Sequence, residues 1–302
     1  MNFSTTTSID RRLTNYPIVA PLSLVCVIIA VGLSLFILIV VLLSKKLHTV
    51  THLLICNTCL ASILYCVVQC NNYIYLLFID WNTDNHSCRW RGYFAYVAIV
   101  AVIYSYLLQA ISRFFIVILS TKFRWLMTIR THLYMMLIGW TVVFSVPSPA
   151  LITTDIYFRP GFLCWVPMKS IQHVAYTIIA YYLAPVMLII AIYIFIYVRI
   201  RTSAVAQFVR RRQKRDLEVF RNIVILLGIY TLGAIPVLLY VLTNIELFYA
   251  MGMVSVSLTV SMEKLTSLFL DREIRTLLKR SISRRRIQVK PIVAVNNLHL
   301  YH

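Results

Sequence analysis

Residues 88–114 read CRWRGYFAYVAIVAVIYSYLLQAISRF, a run that opens on Cys88, closes on Ser112-Arg113-Phe114 and carries no charge from Gly92 to Ser112. A helix rising about 1.5 Å per residue needs roughly 20 apolar residues to cross about 30 Å of hydrocarbon. The stretch near 90–117 meets that length, and six others lie beside it in the chain, near 18–43, 51–79, 133–151, 172–197, 220–242 and 248–270. Polar or basic segments separate them. Seven crossings put the two ends of the chain on opposite sides of a bilayer. The 302 residues are 60% hydrophobic with a mean hydropathy of +0.81, which leaves no room for a second folded domain. The expected organisation is an extracellular tail over 1–17, a seven-helix unit over 18–270 and a cytoplasmic segment over 271–302. The first span is expected to do its own targeting, with no cleaved leader.

A net charge of +19 invites a nucleic-acid reading, which its distribution opposes. With loops assigned alternately, one side carries 21 of the 29 lysines and arginines, clustered at Lys45–Lys46, Lys122–Arg130, Arg199–Arg221 and Arg272–Lys290. The other side has six: Arg11, Arg12, Arg89, Arg91, Arg159 and Lys169. This is the positive-inside bias, and it puts the C-terminus in the cytoplasm and the N-terminus outside a plasma membrane. Anionic lipid accounts for much of the Arg284-Arg285-Arg286 run, at about 1 kcal/mol per residue near the surface. The scattered histidines lack metal-ligand spacing and no catalytic arrangement emerges, so neither an enzyme nor a cofactor is expected.

From this point the residues resemble the rhodopsin-like family of G-protein-coupled receptors. Ser112-Arg113-Phe114 stands 25 residues after Cys88, where the family has its Asp-Arg-Tyr signature. Trp81 precedes Cys88 by seven, Trp140 matches the fourth-span tryptophan, Pro185 is followed eight residues on by Tyr193, and Pro236 takes the place of the sixth-span proline. Asp271–Arg275 is similar to the start of the short amphipathic eighth helix. The resemblance implies an all-α integral membrane fold, a seven-transmembrane helix bundle with that eighth helix. It also implies a Cys88–Cys164 disulfide over the third helix. Asn2-Phe3-Ser4 and Asn85-His86-Ser87 are glycosylation acceptors that fall outside on this topology.

The resemblance assigns Arg113 a switch role, holding the third helix to the sixth through Asp216 when inactive and meeting Tyr193 when active. Ser112 replaces the acid that usually restrains this arginine, so some basal activity is expected. In the sixth span Ala234 stands where the family has tryptophan, which leaves Tyr230 and the Pro236 kink as the trigger. The largest departure is Glu263-Lys264-Leu265-Thr266-Ser267, in the place of Asn-Pro-x-x-Tyr, with Ser62 in place of the second-span aspartate and Ser34 in place of the first-span asparagine. The family's sodium pocket does not carry over as it stands. Glu263 is expected to supply the displaced charge from the opposite wall, hydrogen-bonded by Asn57 and Ser62. Adjacent residues on a helix point about 100° apart, so Glu263 and Lys264 are expected to be satisfied separately. The competing reading ends the span early and leaves both at the interface.

By position, the ligand pocket draws Gln69, Asn72 and Tyr73 from the second span and Ala95, Tyr96 and Ile99 from the third. The fifth gives Thr177 and Tyr181, the sixth Val237 and Val241, the seventh Met253 and Ser257. Amine receptors of the family place an aspartate where this chain has Ala95. The expected ligand is therefore a peptide or neutral small molecule, not a biogenic amine. Ser257 likewise stands where light receptors carry their lysine. The expected partners are a heterotrimeric G protein, that extracellular ligand, the lipid bilayer, arrestin and a receptor kinase. A signalling-silent decoy and a transporter or channel remain as alternatives.

Overall fold

Seven long helices follow one another with short connections, as the alternation of apolar runs and charged loops dictates. The computed structural model describes residues 16–78, 84–119, 123–158, 163–202 and 210–276. The helices are α1 (Tyr16–Leu43), α2 (Val50–Phe78), α3 (Asn85–Phe114), α4 (Ile129–Ser145), α5 (Ile171–Tyr176, a π turn at Thr177–Leu183, then Ala184–Thr202), α6 (Arg210–Thr243) and α7 (Glu246–Leu270). No strand occurs among the described residues. Six of the seven are long and apolar enough to cross a membrane; in α6 the described apolar segment is the shorter Gly228–Thr243. Helices α2 and α3 start before the expected spans, because polar residues such as Asn85 and His86 extend the helical turn into the interface.

The bundle is closed by α1 packing on α2 and α7, α2 on α3, α3 on α4 and α5, and α6 on α7. Helix α3 is the axle, with 16 of its 30 residues buried. The outward rows of α1 and α4 stay apolar and exposed, Leu22, Ile28 and Ile39 on one and Leu133, Leu137 and Ile138 on the other, as lipid-facing surfaces should. Association between such helices relies on close packing rather than on a hydrophobic gain. At Gly233 the backbones of α6 and α7 come so near that a Cβ would collide with the Thr259 side chain.

Past α7, Asp271 turns the chain. Its Oδ1 accepts the backbone N–H groups of Glu273 and Ile274 at 2.9 and 3.1 Å, which caps the helical residues 272–276. Ile274 is buried with Ile37, Val41, Leu47 and Cys59. His52, at the start of α2, faces Asp271 at 3.5 Å. Burial pushes the Asp271 carboxyl up, but the His52 and backbone hydrogen bonds outweigh it and hold it below the usual carboxylate value. This is the beginning of the expected eighth helix; residues beyond 276 lie outside the described ones.

Candidate functional site

At the end of the bundle that carries Cys88, a cavity of about 240 Å³ opens between α2, α3, α5, α6 and α7. Cys88 and Cys164 are disulfide-bonded, with Cα atoms 5.3 Å apart, so the segment after α4 is drawn over α3. Gly92 lets it descend, since a Cβ there would meet the Cys164 carbonyl. Two tyrosines fasten the segment further. The Leu163 N–H donates to the Tyr249 hydroxyl and the Val166 N–H to the Tyr96 hydroxyl, each at 3.0 Å. Trp165, Val166, Pro167 and Met168 thereby roof the cavity.

Of the positions expected to line a pocket, Gln69, Tyr73, Tyr96, Ile99, Thr177, Tyr181, Val237, Val241 and Met253 do so. Three do not. Asn72 sits behind, donating to Gln69 at 3.4 Å. Ala95 is buried on the same side of α3 as Ile99 and Val102, but it is not among the lining residues. Ser257 lies one layer back, bonded to the Tyr73 hydroxyl and to the Met253 carbonyl, both at 3.0 Å. Lining residues not foreseen include the four roof residues and Tyr65, Tyr182, Tyr240 and Tyr249. Trp165 follows a half-cystine directly, and that adjacency was the available signal. No charged residue lines the cavity among the described residues.

The cavity floor includes Tyr230, whose ring packs on Tyr106 with centroids 5.5 Å apart. Its hydroxyl lies 3.5 Å from Glu263 Oε2. Glu263 and Lys264 are both 1% exposed, and the Lys264 ammonium meets Glu263 Oε1 at 3.0 Å. The expectation of separate satisfaction is thus corrected. The 100° holds at the Cβ atoms, and two long flexible side chains curl back across it. The helix also continues to Leu270, so neither residue is interfacial. The expected partners of Glu263 are corrected as well. Asn57 accepts from the Trp140 indole at 3.0 Å instead, while Ser62 Oγ and Ser34 Oγ are buried without a partner among the described residues. Ser267, one turn along α7, approaches Glu263 at 3.4 Å. Lys264 reaches the Thr58 carbonyl of α2 at 3.3 Å, and the Thr58 hydroxyl accepts from Gln109 of α3 at 2.6 Å. Four helices therefore meet around one buried ion pair.

At the opposite end, Arg113 donates to Thr51 of α2 at 3.2 Å. Ser112 is tied to His132 of α4 at 2.8 Å. His132 Nδ1 lies 3.0 Å from the Thr128 carbonyl, which can only accept, so in the neutral ring Nε2 is the acceptor and the Ser112 hydroxyl donates. Tyr193 is buried on α5, in the core. Asp216 is on α6, with its side chain outside the described residues, as is Asn2. Asn85 is described: its side-chain oxygen accepts the Phe158 N–H at 2.9 Å, which ties the segment after α4 to the start of α3.

A seven-helix bundle with a roofed cavity at one end and an arginine-bearing α3 terminus at the other defines a class of membrane receptor. Residues 34–270 match the family described as "7 transmembrane receptor (rhodopsin family)", and the chain belongs to it. It is not an enzyme. Among curated relatives, it is similar to the neuromedin-K receptor of Cavia porcellus, 31% identical over 157 residues, covering 51% of this chain and 35% of that one. It is similar to the human histamine H1 receptor at 35% over 99 residues, 32% of this chain and 20% of that one. Human neuropeptide FF receptor 1 is 25% identical over 175 residues, 51% of this chain and 40% of that one. These matches span less than half the length of each relative.

Proposed function

We propose that this protein is a receptor of the plasma membrane that passes binding of an extracellular peptide or neutral small molecule to a heterotrimeric G protein. The observation that carries this reading is the continuity from cavity to ion pair. Tyr230 lines the floor of the one and touches Glu263 of the other, on the helix where Pro236 removes a backbone donor. A ligand pressing on Tyr230 has differential contact with two arrangements of α6, which is what a shift of a two-state equilibrium requires. Arg113, Tyr193 and Asp216 would then act at the cytoplasmic end, where arrestin and a receptor kinase would also engage.

Two of the three relatives are named for peptides and one for an amine. The absence of charge among the described cavity-lining residues favours the former pattern or a neutral molecule. The N-terminus would be extracellular, with Asn2 as the better sugar acceptor because Asn85 is engaged by Phe158 at the start of α3. A library of peptides and neutral compounds, screened with nucleotide exchange on purified receptor and G protein, tests the reading. Exchange that rises with some member of the library and falls in Tyr230→Ala is expected. Binding with no exchange for any G-protein subtype would instead favour the silent-decoy reading.

A further inference from the structure

His52 stands in the first turn of α2, at the Arg113 end of the bundle, with its side chain 4% exposed. The ring is held firmly from one side only. Its Nδ1 lies 2.8 Å from the Thr49 hydroxyl, which also accepts the His52 backbone N–H at 3.5 Å and so caps α2. Its Nε2 is aimed at two carboxylates of the segment that follows α7, Asp271 at 3.5 Å and Glu273 at 3.8 Å. Neither contact is a well-formed hydrogen bond, and Nε2 is buried with no other partner among the described residues. The other titratable and charged groups on the elements packed here are exposed or engaged. Lys45, His48, Arg272 and Arg275 are exposed, Arg113 of α3 bonds Thr51, and Cys59 lies in the apolar cluster around Ile274.

Asp271 Oδ1 caps residues 272–276 while Oδ2 faces the ring, so whatever holds Oδ2 also holds the cap. The Thr49 hydroxyl has one proton and two lone pairs, and it can donate to Nδ1 of the neutral ring or accept from Nδ1–H of the charged one. The imidazole therefore takes up a second proton with no heavy atom displaced. The charged ring then stands between two carboxylates, in charge-assisted contact with both. A cation in the first turn of a helix is opposed by the helix dipole. The charge is thus sustained only while both carboxylates are close, which couples proton uptake to docking of residues 271–276. We infer that His52, Asp271 and Glu273 form a proton-operated clasp that fastens the start of the eighth helix to α2. The docked form holds one more proton than the undocked form. The clasp therefore tightens as pH falls and loosens as pH rises, across the range where histidine ordinarily titrates. The proton arrives from the aqueous side, to which Glu273 is 57% exposed, and on the proposed orientation that side is the cytosol. The inference depends neither on the ligand nor on coupling to a G protein.

The test is hydrogen exchange of the full-length protein in detergent, read by mass spectrometry on the peptide that carries Glu273, Ile274 and Arg275, whose amides all bond to Asp271. Protection is corrected for the intrinsic pH dependence of amide exchange. In wild type it is expected to fall about tenfold between about pH 6 and 8, within the limit set by one linked proton. Glu273→Gln changes an exposed side chain and leaves the Asp271 cap intact; it should lower protection at the acid end and flatten the profile. His52→Gln keeps a polar group against Thr49 but cannot take the proton, and it should be flat at the level wild type reaches at the alkaline end. A flat wild-type profile overturns the inference, as does a slope that survives in His52→Gln or an unchanged profile in Glu273→Gln. Should His52→Gln fail to fold, the wild-type and Glu273→Gln profiles decide alone. A slope that vanishes on adding EDTA would show that a metal ion rather than a proton joins the three groups, and would equally overturn it.

Discussion

Replacing Lys264 by methionine keeps most of the side-chain volume and removes the ammonium that sits 3.0 Å from Glu263. What remains around the carboxylate is weak. Ser267 at 3.4 Å and the Tyr230 hydroxyl at 3.5 Å are at the outer edge of hydrogen-bonding distance and cannot replace an ion pair. Breaking a buried pair from one side typically costs about 3–5 kcal/mol. At about 2–4 °C per kcal/mol for a chain of this order of size, the unfolding midpoint should drop by about 6–20 °C. Glu263→Gln should cost less, because the ammonium keeps the Thr58 carbonyl and gains an amide oxygen. The double variant Glu263→Gln/Lys264→Met leaves no unpaired charge and should recover much of the loss. Thermal unfolding of all four proteins in detergent closes the cycle, with coupling expected at 1 kcal/mol or more. Additive losses, or a Lys264→Met protein as stable as wild type, would show that the two groups do not depend on one another and would sink the reasoning.

Further outcomes follow from the same geometry. Because an ammonium of the protein's own already occupies Glu263, ligand binding should be indifferent to sodium over the millimolar range in wild type; a sodium-sensitive affinity would contradict the pairing. Asp216→Ala should raise ligand-free nucleotide exchange, and an unchanged baseline would remove Asp216 from the switch. Gly233→Ala forces a methyl into Thr259 and should destabilise by about 1–3 kcal/mol, whereas Gly233→Ala/Thr259→Ala should regain part of that. Asp155 accepts from His173 at 2.9 Å and from Ser170 at 3.1 Å, and the His173 bond holds its carboxyl below the ordinary value. A depressed carboxyl contributes fully above its unfolded pKa and is lost as pH falls through the folded one. Wild-type stability should therefore decline below about pH 4, with Asp155→Asn lower at neutral pH and flatter across that range.

The seven crossings were legible because hydropathy over twenty residues is a strong signal that no local accident erases. The disulfide and most cavity positions were legible through resemblance, which transfers backbone position well. Side-chain partnership transfers poorly. Asn57 could have turned to Glu263 or to Trp140, and only three-dimensional placement shows the indole taking it. Lys264 illustrates a second limit: helical angles describe Cβ directions, and four methylenes are long enough to defeat them. The roof residues 165–168 have irregular backbone and thus no period to read. The π turn of α5 leaves no mark in composition, and the Tyr104 hydroxyl that bonds to it comes from another helix, 76 residues earlier.

The cover over the cavity is stitched at three places, by a covalent bond at Cys164 and by tyrosine hydroxyls at Leu163 and Val166. These fastenings hold residues 163–166 against α3 and α7, so the ceiling of the cavity is a preformed surface whose shape is set by the fold itself.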